Sequence, residues 1–309
     1  MLFSRQVALA KTEVTYNVDP TPTASANAFL ISHLTIDENV KMNERVAIKK
    51  TLAPLQAVPG VYSAKISFEV EAKGSGTAGT APEYNALLLA CGLQDTITAS
   101  TSCVYTPLST ASSSVTIYIY QDGSKWIITG AVGTYEISCK SGGIPTFKFT
   151  FDGHVSSHVD ASLVTPTLSS VVPPAALDSA VLIAGTYTPV LSSYSFNSGC
   201  SVTMPESIAA SDGYAPFIIS KRDGKIALAV EMDLVGNYDY YGIFKAGTSQ
   251  SFALPIGATA GNIITISHPA MYISAVKQGN AGGILTLTVD AGAVESSASA
   301  DDEVSISFT

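Results

Sequence analysis

The sequence predicts a mainly β (α+β) protein made of two tandem antiparallel β-sandwich or barrel modules, each flanked by a helix. Three observations carry this. Apolar and polar residues alternate with period two in many short runs. Gly-rich turn signals separate those runs, and the order of elements repeats along the chain. The 309 residues suit two domains, and only 13% are charged, against about 25% in ordinary soluble domains. Low charge with many β-branched and aromatic residues argues against disorder, and the composition is not that of a long-helix protein.

Residues 1–22 read as an N-terminal arm and residues 23–155 as the first module. Within it, Lys65-Ile66-Ser67-Phe68-Glu69-Val70-Glu71 alternates as a half-buried strand does. Thr80-Ala81-Pro82-Glu83 fits a capping box with Pro in the first turn, opening a helix through Cys91 that Gly92 stops. Ser114-Val115-Thr116-Ile117-Tyr118-Ile119-Tyr120 runs through Asp122-Gly123 into Lys125-Trp126-Ile127-Ile128, a hairpin signal. Thr146-Phe147-Lys148-Phe149-Thr150-Phe151 follows as another strand. Residues 156–189, rich in Pro, Ser and Ala, read as a linker over the surface, leading to a second module at 190–309. There a short helix is expected from Tyr238 to Ala246, stopped by Gly247, and a last strand over 304–308.

The two modules align at a constant offset. At 160 residues, Ile31-Ser32-His33-Leu34-Thr35-Ile36 matches Leu191-Ser192-Ser193-Tyr194-Ser195-Phe196, and 65–71 matches 225–231. Later, Gly142-Gly143-Ile144 matches Gly282-Gly283-Ile284, each opening a strand. Repeated order at fixed spacing reads as a duplication. The first copy is expected to carry an extra hairpin, about 114–135, that the second lacks.

Composition excludes several functions. With 16 Lys and Arg against 25 Asp and Glu, the net charge is −9, so no basic excess is present to grip phosphates. No apolar run reaches the roughly 18 residues of a membrane helix. The N-terminus lacks the charged-then-apolar pattern of a signal peptide. Cys91, Cys103, Cys139 and Cys200 are far apart, which suits reduced thiols rather than a metal site. His154 and His158 read as a solvated loop, not a metal pair. Gly74-Ser75-Gly76-Thr77-Ala78-Gly79 matches G-x-G-x-x-G, but Thr80, Ala81 and Pro82 separate its last glycine from the helix, so it reads as a flexible loop. Asp301-Asp302-Glu303 reads as an acidic turn. No catalytic constellation, cofactor or metal is implied, and the chain is expected not to be an enzyme.

What remains is the polar face of the repeated strand. Glu69 and Glu71 lie opposite the apolar Ile66, Phe68 and Val70, and Glu231 and Asp233 fall at the matching end of the second copy.

The sequence also resembles a known family. The residues that carry this are 5–16 with Asp19-Pro20-Thr21-Pro22, the run 74–83 with Leu88-Leu89-Ala90-Cys91-Gly92, Val104-Tyr105-Thr106-Pro107, 143–149, and the terminal 301–306. Together they resemble the major tail tube protein of long, flexible, non-contractile phage tails, most strongly over the first 155 residues. That resemblance implies tail-tube-type β modules whose sheets join between subunits into rings, stacked into a hollow tube that passes double-stranded DNA without specific binding. With two modules per chain, a homotrimer with pseudo-sixfold symmetry would complete a ring. Partners are then further copies, the tape measure protein, the tail terminator and distal tail proteins, with no membrane. The location would be the virion tail, after assembly in the host cytoplasm. Glu69, Glu71, Glu231 and Asp233 are expected to face the bore as a non-stick lining. Lys41, Arg45, Lys49 and Lys50, in the stretch 37–58, together with the arm 1–21, are expected to reach the next ring, with the hairpin 114–135 as a second candidate for that contact. The rival readings are a terminator or distal adaptor of the same fold, and a cell-surface β-sandwich adhesin that binds glycans.

Overall fold

The computed structural model describes residues 2, 4–110, 113–298 and 300–309. Met1 and Phe3 of the expected arm lie outside the described residues. The first half contains β1 (Gln6–Thr12), β2 (Ala28–Phe29), β3 (Ser32–Asn43), β4 (Val58–Glu71), α1 (Asn85–Ala90), β5 (Leu93–Thr98), β6 (Ser102–Pro107), β7 (Val115–Gln121), β8 (Gly123–Lys140) and β9 (Thr146–Ala161). The second contains β10 (Leu182–Ile183), β11 (Leu191–Asn197), β12 (Ser201–Thr203), β13 (Ile218–Lys221), β14 (Lys225–Glu231), α2 (Tyr240–Ala246), β15 (Gln250–Ile256), β16 (Ile264–Ala281), β17 (Ile284–Val294) and β18 (Ser305–Phe308). The fold is a mainly antiparallel β-sandwich whose sheet does not close into a barrel.

Alternation is realised where the sequence shows it. In β4 the side chains of Ile66, Phe68 and Val70 are 0–2% exposed, while Lys65 and Glu71 point to solvent. Asp122 and Gly123 both adopt positive φ, +26° and +123°, and close the β7–β8 hairpin between Gln121 and Ser124. α2 begins after Asp239, whose carboxylate accepts the Gly242 amide at 2.8 Å, and ends on Gly247 in the left-handed conformation.

α1 departs from expectation. It starts at Asn85, and no side chain caps it. Glu83, the residue the capping box needs, is engaged elsewhere. Its Oε1 lies 3.2 Å from Lys73 Nζ, and its Oε2 accepts the Ser169 amide at 3.2 Å. A buried cation out-competes the helix end for that carboxylate. The stretch expected as linker is also shorter at its start, because β9 runs on through Ala161.

Both halves share one strand order. In the first, neighbours run β3-β4-β9-β8-β7-β1. In the second they run β11-β14-β17-β16-β15-β10. Register agrees as well. Thr35 opposes Ser67 and Ile36 opposes Ile66, as Ser195 opposes Ala227 and Phe196 opposes Ile226. The hairpin at 114–135, expected in the first half alone, therefore has a counterpart in β15–β16. A long connection at 257–263 replaces the Asp-Gly turn and hides the likeness. What the first half has in addition is the β5–β6 hairpin, and β6 pairs with the C-terminal β18.

Strand pairing and core packing join the halves. β11 pairs with the last residues of β8, Ser193 opposite Lys140 through Asn197 opposite Glu136. β18 bridges β16 and β6. One contiguous cluster of buried apolar side chains runs through both halves, including Phe68, Phe147, Tyr194, Phe196 and Phe252.

Candidate assembly interface

The sheet presents its polar face along rows that cross both halves. One row reads Glu69, Lys148, Glu136, Asn197, Lys225, each opposite the next. The next reads Glu71, Thr146, Ser138, Ser195, Ala227, Asp290. Residues directly opposite in an antiparallel sheet share a face, so these side chains project together. The face is rich in hydroxyls and interleaves acids with lysines. Glu69 Oε2 also meets His33 Nδ1 at 3.0 Å. Glu231 ends β14 opposite Thr286. Asp233 lies beyond the strand, in a turn. Its carboxylate accepts Asn237 Nδ2 and the Leu234 amide, at 2.8 and 2.7 Å, and these bonds hold it below the usual carboxylate range. The four acids thus divide into three strand residues and one turn residue.

The lysine stretch forms a projecting arm. β3 and β4 stay paired out to Asn43 opposite Val58, and the connection between them is exposed throughout nearly all its length. Val46, Ile48 and Leu52 there are 97–107% exposed. Lys41 lies at the base of the arm, 3.4 Å from Glu206. Arg45, Lys49 and Lys50 lie on the connection, where Lys49 donates to the Pro54 carbonyl at 3.4 Å.

The motifs set aside in the sequence serve packing. The 74–79 glycines are not a flexible loop. Gly74 N donates to Asn262 Oδ1 at 2.8 Å and Gly76 N to the Gly261 carbonyl at 3.0 Å, so amides that a phosphate would need are taken. His154 and His158 are not on a solvated loop either. Both lie on β9, where His154 is buried and His158 stacks on Trp126 with ring centroids 3.9 Å apart. Asp301 and Glu303 of the acidic turn both pair with Arg222, at 2.7 and 2.5 Å. All four cysteines are free and buried, and burial pushes their thiols up, Cys139 to about 11. Among the described residues no group of three or more His, Cys, Asp or Glu could hold a metal ion.

Glu13 and Arg222 are polar anchors among those that no sequence motif marks. Glu13, 8% exposed, accepts from Asn17 N, Ser114 Oγ, Thr116 Oγ1 and Gly130 N at 2.6–2.7 Å, pinning the arm to β7 and β8. Local spacing announces neither role, because most of their partners come from distant segments.

The architecture is that of a mainly β sandwich protein with open sheet edges and projecting loops. A family model described as phage tail tube protein matches residues 4–309, and the chain belongs to that family. No curated protein matches it. Membership gives the chain a structural role in the tail tube, a place in the virion tail, and self-assembly with other tail components. No helix among the described residues is long and apolar enough to cross a membrane.

Proposed function

We propose that the chain is a duplicated building block, with modules near 23–155 and 190–309, of which three copies form a ring of six modules. Stacked rings then make a hollow tube for genome passage, assembled in the host cytoplasm between the terminator and distal proteins and around the tape measure protein. The observation that carries this reading is the shared strand order and register of the two halves, already joined edge to edge by β8 and β11. A heterologous contact repeated around an axis generates a ring when the rotation closes.

In this reading the polar sheet face lines the bore, with Glu69, Glu71 and Glu231 on it and Asp233 at its margin. Hydroxyls with interleaved charges offer duplex DNA no continuous basic track, so the strand passes without release of many counterions. Screening beyond about 8 Å confines any repulsion to DNA close to the wall. The arm bearing Lys41, Arg45, Lys49 and Lys50, with its bare Val46, Ile48 and Leu52, reaches the adjacent ring, as does the segment 1–21. The chain performs no catalysis here.

Electron microscopy of the purified protein tests this. Rings or tubes with threefold averages, the side chains of Glu69 and Glu71 on the inner wall, are the expected result. A particle that stays monomeric at every concentration, or tubes with those acids on the outside, would overturn it.

A further inference from the structure

Two of the open strand edges among the described residues have counterparts that are paired inside the chain, which supplies a template for how they meet. Among the described residues, the twelve-residue β3 pairs only with β4, and the stretch 275–281 of β16 pairs only with β17. Edges this long without proline invite another strand.

Each open edge has an occupied equivalent. β3 corresponds to β11 at an offset of 160, fixed by the matching registers against β4 and β14. β8 corresponds to β16 at an offset of 141. Glu136 and Lys148 are partners, and so are Lys277 and Thr288, while Lys148 opposes Glu69 and Thr288 opposes Ala229. Inside the chain, the occupied edges meet with Ser195 opposite Ser138, Phe196 opposite Ile137 and Asn197 opposite Glu136.

We infer that β3 of one copy pairs antiparallel with 277–279 of β16 in a second copy of this chain. The register is Thr35 opposite Gly279, Ile36 opposite Gln278 and Asp37 opposite Lys277. This inference rests on the ring-forming reading above and supplies its lateral contact.

Charge supports that register. Asp37 and Lys277 are both exposed, and the pairing sets opposite charges across from each other. Lys277 Nζ already meets Asp290 at 3.0 Å, so it would stand between two carboxylates. Ile36 and Val276 are half-buried in the single chain, whereas Phe196, at the position equivalent to Ile36, is 1% exposed where its edge is covered. Pairing would complete the burial of Ile36.

Cysteine cross-linking reads the register directly, since cross-strand partners fall within disulfide reach and a one-residue slip sends side chains to opposite faces. The full-length double variant Asp37→Cys/Lys277→Cys, assembled and oxidised, should give covalent species ending at a closed trimer on a non-reducing gel. Asp37→Cys/Gln278→Cys should stay monomeric on that gel. In uncross-linked protein, Asp37→Lys should abolish assembly, and Asp37→Lys/Lys277→Asp should restore it. If the wild type forms tubes but the first pair fails to link, or the slipped pair links instead, the register is wrong while the tube reading stands. If the wild type forms neither rings nor tubes, the tube reading itself falls.

Discussion

The Tyr16 hydroxyl lies 2.9 Å from Nε2 of His154 and accepts the Phe217 amide proton at 2.7 Å. The hydroxyl thus bridges the amide and the imidazole, whose Nδ1 on the far side meets the Asp212 carboxylate. Burial pushes the Tyr16 phenol up to about 12, so it stays protonated at neutral pH. The N-terminal arm, β9 and the 205–217 loop of the second half are thereby tied at one point. Phe217 stacks on the imidazole, ring centroids 4.4 Å apart, which seals the contact.

Tyr16→Phe keeps the ring and removes the hydroxyl. The Phe217 amide and His154 Nε2 then lose their partner, at a cost of about 2 kcal/mol. Urea unfolding should show a lower midpoint with an unchanged slope. An unaltered midpoint would mean that water replaces the hydroxyl without loss.

His268 makes stability depend on pH. It is fully buried between Tyr194, whose hydroxyl donates to Nε2 at 2.8 Å, and the Glu303 carbonyl, which accepts from Nδ1 at 2.9 Å. Burial lowers its pKa to about 4, whereas an unfolded histidine titrates near 6.5. Between those values the unfolded chain binds a proton that the folded chain refuses. The contribution is therefore complete above about pH 6.5 and is lost as pH falls toward 4, by up to about 3 kcal/mol. Comparing wild type with His268→Gln by urea unfolding at pH 7.5 and 4.5 isolates this from the carboxylates. The variant should be less stable at pH 7.5 and should lose less stability on acidification.

The strands were legible because burial on one side of a sheet writes period two into the sequence, as at Ile66, Phe68 and Val70. The Asp122-Gly123 turn and the Gly247 stop were legible because each needs a backbone conformation that few residues accept. Glu83 misled because its partner Lys73 is set by tertiary packing, not by helix spacing. The β15–β16 pair was missed because its 257–263 connection carries no tight-turn signal. The polar face was legible as alternation, but its interleaved lysines were not, since Lys148 meets Glu69 only across strands. His154 and Asp212 are 58 residues apart, and nothing local announces that they meet.

Arg222 holds the C-terminal strand in place. Its Nε donates to Glu303 at 2.5 Å, one terminal nitrogen to Asp301 at 2.7 Å and the other to the Leu108 carbonyl at 3.0 Å. A guanidinium spreads its donors over three nitrogens in a rigid plane, whereas an ammonium carries all of its donors on one nitrogen. Arg222→Ala should cost about 2–3 kcal/mol, since Glu303 is left largely buried without its counter-charge. Arg222→Lys should recover only part. Hydrogen exchange should locate the loss at the β18 amides, and protection unchanged there would contradict the assignment.

Glycine substitutions separate the joint between the halves from the open loops. A Cβ on Gly74 would sit 2.1 Å from the Gly261 carbonyl oxygen and 2.9 Å from the Asn262 Cα, both backbone atoms that a side-chain rotation cannot move. Gly74→Ala must therefore push the 257–262 loop away, straining the Asn262 contact that holds it. Overpacking of this kind costs about 1–3 kcal/mol. At Gly236 the same Cβ would meet nothing within 4 Å, and φ is not in the left-handed region. Gly236→Ala should change stability by less than about 0.5 kcal/mol. Thermal unfolding of the two variants side by side should show a lowered midpoint for the first alone. Equal midpoints would mean that the halves do not meet along the 74–79 glycines.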